Sequence, residues 1–191
     1  ALAENWAVTG SLRWRPLPGT SLGASAWHGN TGQGQEFAGK QVDVPMTLAE
    51  VHAEWKRDNV WLRALYAQAT IGDTTAVSND LGEAIGERMT GWYAEAGYNI
   101  MPALGGPGDQ ALYPWVRYTA LDTQASLASG VKDAGFSKDP ANDRSAWVAG
   151  LQYHPHPQVA LKAEYRDWSS KADSRSANNG EEYLVGVGYS F

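Results

Sequence analysis

The chain has 191 residues, 15 basic and 21 acidic side chains for a net charge of −6, no cysteine, and a mean hydropathy of −0.42. Without cysteine it has neither disulfides nor thiolate metal sites, without a Lys/Arg run it has no footprint for nucleic acid, and no stretch approaches the roughly 18 uninterrupted apolar residues of a membrane-spanning helix. The 21 Gly, 9 Trp and 9 Tyr against 3 Phe instead favour aromatics placed where one end is dry and the other wet.

In chain order, period-2 alternation recurs in segments of about ten residues. The first sets Trp6, Val8, Gly10, Leu12 and Trp14 on one face and Ala7, Thr9, Ser11, Arg13 and Arg15 on the other. Pro16-Leu17-Pro18-Gly19 then turns tightly into a strand near 20–29. A long polar connection near 30–45 precedes strands near 46–57 and 60–71, which are joined by Asp58-Asn59. In the next long connection, 72–88, the residues Ala76, Val77, Leu81, Ala84 and Ile85 fall at loosely helical spacing, a short helix that would sit in a surface loop or fold inward. Strands near 89–100 and 113–124 flank a turn containing Gly105-Gly106-Pro107-Gly108, which lacks the Lys-Ser/Thr of a phosphate loop. A long connection, 125–143, leads to strands near 144–153 and 158–169 around His154-Pro155-His156-Pro157. That segment reads as a rigid turn, since two histidines without further donors do not make a metal site. After a polar stretch near 170–180, the last strand carries Tyr183, Val185, Val187, Tyr189 and Phe191 on one face and Leu184, Gly186, Gly188 and Ser190 on the other.

Short and long connections alternate strictly, the mark of an antiparallel up-and-down barrel in a bacterial outer membrane, where periplasmic turns are tight and outer loops long. The expected fold is therefore all-β: a transmembrane β-barrel forming one domain over residues 1–191. Nine strands are odd in number, whereas single-chain barrels are even. The opening Ala1-Leu2-Ala3-Glu4 also has neither the basic nor the apolar part of a signal segment. The expectation is a chain lacking its N-terminal strands, from a barrel of roughly 16 to 18.

Alternation assigns Arg13, Arg15, Glu50, His52, Glu54, Lys56, Arg63, Glu95, Arg117, Lys162, Glu164 and Arg166 to the lumen, because Arg in lipid costs roughly 2–4 kcal/mol at the midplane. Asp167 is counted with the lumen acids. The basic members would bias passage toward anions, and the acids would blur that bias. The opposite faces put Trp6, Trp14, Trp55, Trp92, Tyr98, Trp147, Tyr153, Tyr165, Tyr183 and Tyr189 at the two membrane interfaces.

Arg15-Pro16-Leu17-Pro18-Gly19 leading into Leu22-Gly23-Ala24-Ser25, then Gly32-Gln33-Gly34-Gln35, Ala53-Glu54-Trp55 and Gly91-Trp92-Tyr93-Ala94-Glu95-Ala96-Gly97-Tyr98 resemble the C-terminal half of proteobacterial porins related to the phosphate-selective porins O and P. The likeness is a diffuse one of hairpin texture over nearly the whole chain. Tyr189-Ser190-Phe191 resembles the signal by which the outer-membrane assembly machinery receives its substrates, which gives Phe191 that role. The resemblance implies a monomeric or trimeric channel for passive diffusion of small hydrophilic solutes or ions. Such a channel needs no cofactor, metal or catalytic step. Its partners would be outer-membrane lipid and lipopolysaccharide, the assembly machinery and further copies of itself, with no nucleic acid. Two other readings stay open. One is a barrel enzyme of protease, lipase or deacylase type, for which His28 is the only rim candidate and no Ser/His/acid trio can be assembled from sequence. The other is a structural barrel subunit of a larger assembly.

Overall fold

Side chains that alternate polar and apolar over ten residues suit an extended backbone that is wet on one face and dry on the other, and this pattern builds one antiparallel sheet. The computed structural model describes residues 5–37, 39–172 and 179–191. Its main sheet comprises β1 (Ala7–Trp14), β2 (Thr20–Asn30), β3 (Pro45–Arg57), β4 (Val60–Ile71), β5 (Arg88–Tyr98), β6 (Ala111–Ser126), β7 (Asp143–His156), β8 (Val159–Ser170) and β9 (Gly180–Tyr189). Among the described residues each strand pairs with its sequence neighbours, so the order runs unbroken from β1 to β9. β1 and β9 end that order with one neighbour each.

Two of the short turns follow from their composition. At the first short turn Gly19 has φ 79°, and an added Cβ would lie 2.0 Å from the Lys56 carbonyl oxygen, so only glycine lets the turn approach β3. Asp58 takes φ 53° in the next short turn, a conformation that Asp tolerates better than most residues. The expected turn at His154–Pro157 is corrected. β7 continues through His154, Pro155 and His156, and only Pro157 and Gln158 turn. The register between β7 and β8 shifts between Val159 and Leu161, which lets a strand end carry a proline that cannot donate to the ladder.

The long connections are ordered. The 72–87 segment contains α1 (Thr74–Leu81), two turns closed by Gly82 at φ 72°. The 127–142 segment, which shows no helical period in sequence, contains α2 (Ser129–Asp133). α1 packs on α2 and on a two-residue ladder, Glu36–Phe37 with Lys40–Gln41, from the loop between β2 and β3. Val131, Thr74 and Ser78 are fully buried in this contact region. The Gln124 side chain ties the two segments together by donating to Ala84 O (2.6 Å) and accepting from Asp139 N (2.7 Å).

The sheet has no conventional interior. Among the described residues one buried apolar cluster forms, Trp115, Ala146 and Val148 with Trp168 packed against it, and it lies on the charged face. The opposite face exposes large apolar groups throughout, among them Val185 at 89% and Tyr183 at 76%. A face this apolar has to be withdrawn from water by something other than the sheet.

Candidate functional site: the charged face of the sheet

Cross-strand register brings the expected polar residues side by side. Glu54 stands opposite Arg63, Arg63 opposite Glu95, and Glu95 opposite Arg117, one row across β3 to β6. Arg63 donates from Nε to Glu54 at 2.8 Å, and the Glu95 carboxylate lies 3.9 Å from Arg63 and 3.5 Å from Arg117. A second cluster on β8 centres on Glu164, with Lys162 at 2.8 Å and Arg166 also bonded to it, while Arg166 reaches Glu182 on β9 at 3.5 Å. The side chains of Glu95 and Glu164 are each 5% exposed. A carboxylate so withdrawn from water is tolerable only with cations beside it, and each has two.

The rings below these cations explain how the rows are held. Trp61, Trp115 and His52 point to the same side as the charges, and the direct cross-strand partner of each is a glycine: Gly97, Gly150 and Gly23. A Cβ added at Gly150 would lie 2.4 Å from the Trp115 indole, at Gly23 2.2 Å from the His52 ring, and at Gly97 3.0 Å from Trp61. The rings therefore lie flat over bare backbone. Cations then cover them from the solvent side, with the Arg63 guanidinium 4.2 Å from the Trp61 centroid and Lys162 Nζ 4.4 Å from that of Trp115. Alternation already places Trp61 with Arg63 and Trp115 with Arg117, so parity could have found these rings. The glycine partners needed the register.

Not every expected residue joins a row. Arg13, Arg15 and Lys56 line a cavity of about 760 Å³ around the Pro16–Gly19 turn, together with His52 and Glu54. None of these three cations has a carboxylate within ion-pair distance among the described residues. Arg144, missed by the sequence reading, is a further such cation, resting 5.7 Å from the Trp168 centroid. Asp167 is corrected: it stands opposite Trp147 and Glu181 on the outward face, not with the lumen acids. At the outer end of that face Asp122 and Asp143 are direct partners. Lys171 Nζ sits 2.5 Å from Asp143, and this hydrogen bond raises the lysine pKa above its ordinary value. The tie is therefore complete at neutral pH and is lost only well into the alkaline range.

The expected interface aromatics all fall on the face opposite the charges. Trp14, Trp55, Trp92, Tyr98, Trp147 and Tyr189 are exposed there, Tyr153 and Tyr165 half-buried, and Trp6 just before β1 is 91% exposed. The alternation of the last strand runs to Phe191, but the pairing stops short of it. The last ladder bond is Ser190 N to Gln158 O at 2.9 Å, and Phe191 lies beyond it, fully exposed.

Alternation puts Glu50 and His52 in one polar row on β3, and the register adds a residue that parity could not supply. Ser25 on β2 stands opposite Glu50 on β3 and donates to it at 2.9 Å, while His52 Nδ1 lies 3.0 Å from the same carboxylate. Serine, acid and imidazole are thus within hydrogen-bond reach. The carboxylate, not the imidazole, is central, unlike the order in which histidine bridges nucleophile and acid. His28, the expected rim candidate, points outward, with Nδ1 2.8 Å from Thr47 Oγ1, and does not join this cluster.

No known family profile matches the chain. It is 28% identical over 185 residues to an uncharacterized protein of Aquifex aeolicus strain VF5, a match covering 91% of this chain and 40% of that protein. Among solved structures it resembles outer-membrane expressed OmpT of Vibrio cholerae, with a TM-score of 0.56, 10% identity, and coverage of 98% of this chain and 56% of that one. It likewise resembles the loop L8 deletion mutant of that OmpT, with a TM-score of 0.54, 11% identity, and coverage of 98% and 54%. The chain thus spans 40% of the length of its sequence relative and just over half of these solved barrels. The fold is that of bacterial outer-membrane β-barrel proteins, and the outer-membrane location expected from the sequence agrees with it. Nothing in these likenesses points to the phosphate-selective porins or to a C-terminal half. The expectation that the chain is not an enzyme is corrected. The barrels it resembles share the fold alone, which leaves catalysis on the wall open, and the wall does assemble a serine, a carboxylate and an imidazole.

Proposed function

We propose that the chain forms part of the wall of a water-filled passage through which small hydrophilic solutes or ions diffuse, the remaining strands coming from the rest of a longer polypeptide. The observation that carries this reading is the division of the sheet: ion-paired rows on one face, and a face dominated by aromatic and aliphatic groups on the other. Buried salt-bridged carboxylates on a single-layer sheet make sense beside water, where their cations remain solvated. The partial coverage of the solved barrels and the single-neighbour strands β1 and β9 support the missing-strand part.

Charge compensation decides where selectivity resides. Arg63 and Arg117 are matched by Glu54 and Glu95, and Lys162 and Arg166 by Glu164 and Glu182, so both clusters are neutral overall. Among the described residues of this face, the cations without a carboxylate partner are Arg13, Arg15 and Lys56 at the short-turn end and Arg144 nearer the loops, against one acid, Glu50, that has no Lys or Arg beside it. A low-dielectric wall focuses that excess into the passage, and it favours anions. The test is the reversal potential of the full-length protein in a planar bilayer under a salt gradient. Changing Arg13, Arg15 and Lys56 together to Gln should move it toward cations, and added salt should weaken the native bias over a screening length of about 8 Å at physiological ionic strength. An unchanged potential would remove these residues from the conduction path.

A second reading, a barrel enzyme, is favoured by Ser25, Glu50 and His52. Turnover of fluorogenic ester or peptide substrates by the full-length protein, abolished by both Ser25→Ala and Glu50→Gln, would establish it. Equal rates in native and variant proteins would dismiss it.

A further inference from the structure

The outward aromatics form two belts whose spacing can be read from the strand register. The lower belt is Trp14, Trp55, Tyr98, Tyr153 and Tyr189, one on every second strand from β1 to β9. Trp14 is level with Ala53 through Leu22, and Trp55 is two residues further on. Trp55 is level with Ala96 through Leu62, and Tyr98 is again two further on. Ala96 is level with Ala149 through Val116, which puts Tyr153 two residues beyond the level of Tyr98. Tyr153 is level with Val187 through Leu161, and Tyr189 is two beyond. A slip of two residues for every two strands, with about 3.3 Å per residue and 4.8 Å between strands, corresponds to a strand tilt of about 35°. That is the tilt of a membrane barrel, so the belt lies in a plane parallel to the membrane.

The upper belt, Tyr66, Trp92, Tyr118, Trp147, Tyr165 and Tyr183, follows the same slip on β4 to β9. Its rings adjoin, with centroids 5.4 Å apart for Trp92 and Tyr118, 5.0 Å for Tyr118 and Trp147, and 5.2 Å for Tyr165 and Tyr183. On β5, β7 and β9 the two belts are separated by six residues: Trp92 to Tyr98, Trp147 to Tyr153, Tyr183 to Tyr189. Between them lie only two outward positions per strand, Ala94 and Ala96, Ala149 and Leu151, Val185 and Val187. Six residues at that tilt rise about 16 Å, against an apolar band of about 25 Å in outer-membrane barrels generally. The outward face turns polar or charged immediately above the upper belt, at Gln68, Thr90, Asp167 and Glu181, and below the lower belt at Arg57. Carboxylates on the lipid face disfavour any hydrocarbon that reaches past them.

We infer that this face, over β5 to β9, is built for a hydrocarbon layer about 16 Å thick between its aromatic belts, so that the lipid it contacts there is thinned around the wall or carries short acyl chains. The inference rests on the barrel reading of the sheet. Its occupant is lipid, because the belts are planar and parallel and the outward face turns polar or charged just above the upper one, an arrangement that follows a bilayer and not the outline of a protein partner.

The test uses the full-length protein in dioleoylphosphatidylcholine vesicles, with single spin-labelled cysteines at positions 90, 92, 94, 96 and 98 of β5. Positions 94 and 96 should be reached by oxygen severalfold more than by a water-soluble nickel chelate, and the preference should reverse between 92 and 90. A label at 90 as oxygen-rich as that at 94 overturns the thin band. A label at 94 that excludes both probes overturns the lipid occupant in favour of a second protein copy. A label at 94 open to the nickel chelate overturns the barrel reading itself, a separate failure. As a second measurement, Asp167→Leu with Glu181→Leu lengthens the band on β8 and β9. Its folding yield should fall less than the native yield when didodecanoyl vesicles are replaced by dioleoyl ones. Equal losses for both proteins would also overturn the inference.

Discussion

At the scale of single residues, the charged face depends on what is absent as much as on what is present. Gly150 leaves room for Trp115 to lie on the backbone of β7, and Lys162 covers the other side of the indole. A Gly150→Val substitution would push the ring off its seat and part it from the cation. Overpacking of this kind costs about 1–3 kcal/mol, and the loss should appear as a lowered urea midpoint for the folded barrel. A value within experimental error of the native one would mean that the indole does not rest there. The same residue-scale view separates cations by role. Arg63, Arg117, Lys162 and Arg166 each neutralise a carboxylate, and removing one exposes a buried charge, whereas Arg13, Arg15 and Lys56 are spare.

At the scale of elements, the loops at the far end from the short turns behave as a small second packing unit. α1 and α2 meet where Gly130 faces Thr75, and a Cβ added at Gly130 would lie 2.6 Å from Thr75 Oγ1. Gly130→Val should separate the two helices and accelerate amide hydrogen exchange at Ser78 and Val131, both fully buried in the native contact. The strands should keep their protection, because their ladders do not pass through the helices. Exchange that stays slow at Val131 would show that the segment is held by Gln124 alone. Much of this level was legible beforehand. The strands at Pro45–Arg57 and Val60–Ile71 follow the alternation to within a residue, since a half-wet strand writes its period directly into the chain. α2 was not legible, because five residues are too few to show a helical period.

At the scale of the whole molecule, the division into a charged and an aromatic face is what supports a passage through a membrane, and the two faces make separate claims. On the proposed reading the charged face would set the sign of the field, so the reversal-potential experiment with Arg13, Arg15 and Lys56 reports on that face alone. The aromatic face sets the fit to lipid, so the spin-label profile on β5 reports on the bilayer alone. Failure of one leaves the other standing. The Ser25, Glu50 and His52 cluster adds a third question, which only turnover can answer.

What the sequence by itself determined is therefore everything that depends on parity along one strand: which segments are extended, which side chains share a face, that Trp and Tyr stand opposite the charges, and that connections alternate in length. Parity is local, and a polar group turned toward lipid is penalised wherever the strand sits. Only the tertiary structure decided which residues meet across strands. Glu50 and Ser25 are 25 positions apart in the chain, and Trp115 and Gly150 lie on strands whose mutual register no local pattern records. A shift of two residues in any ladder would keep every side chain on its own face, yet it would take Arg63 from Glu95, uncover Trp115 and break the planes of the belts. The physical reason is that alternation fixes the face of a side chain, whereas ion pairing and ring stacking depend on its height along the neighbouring strand.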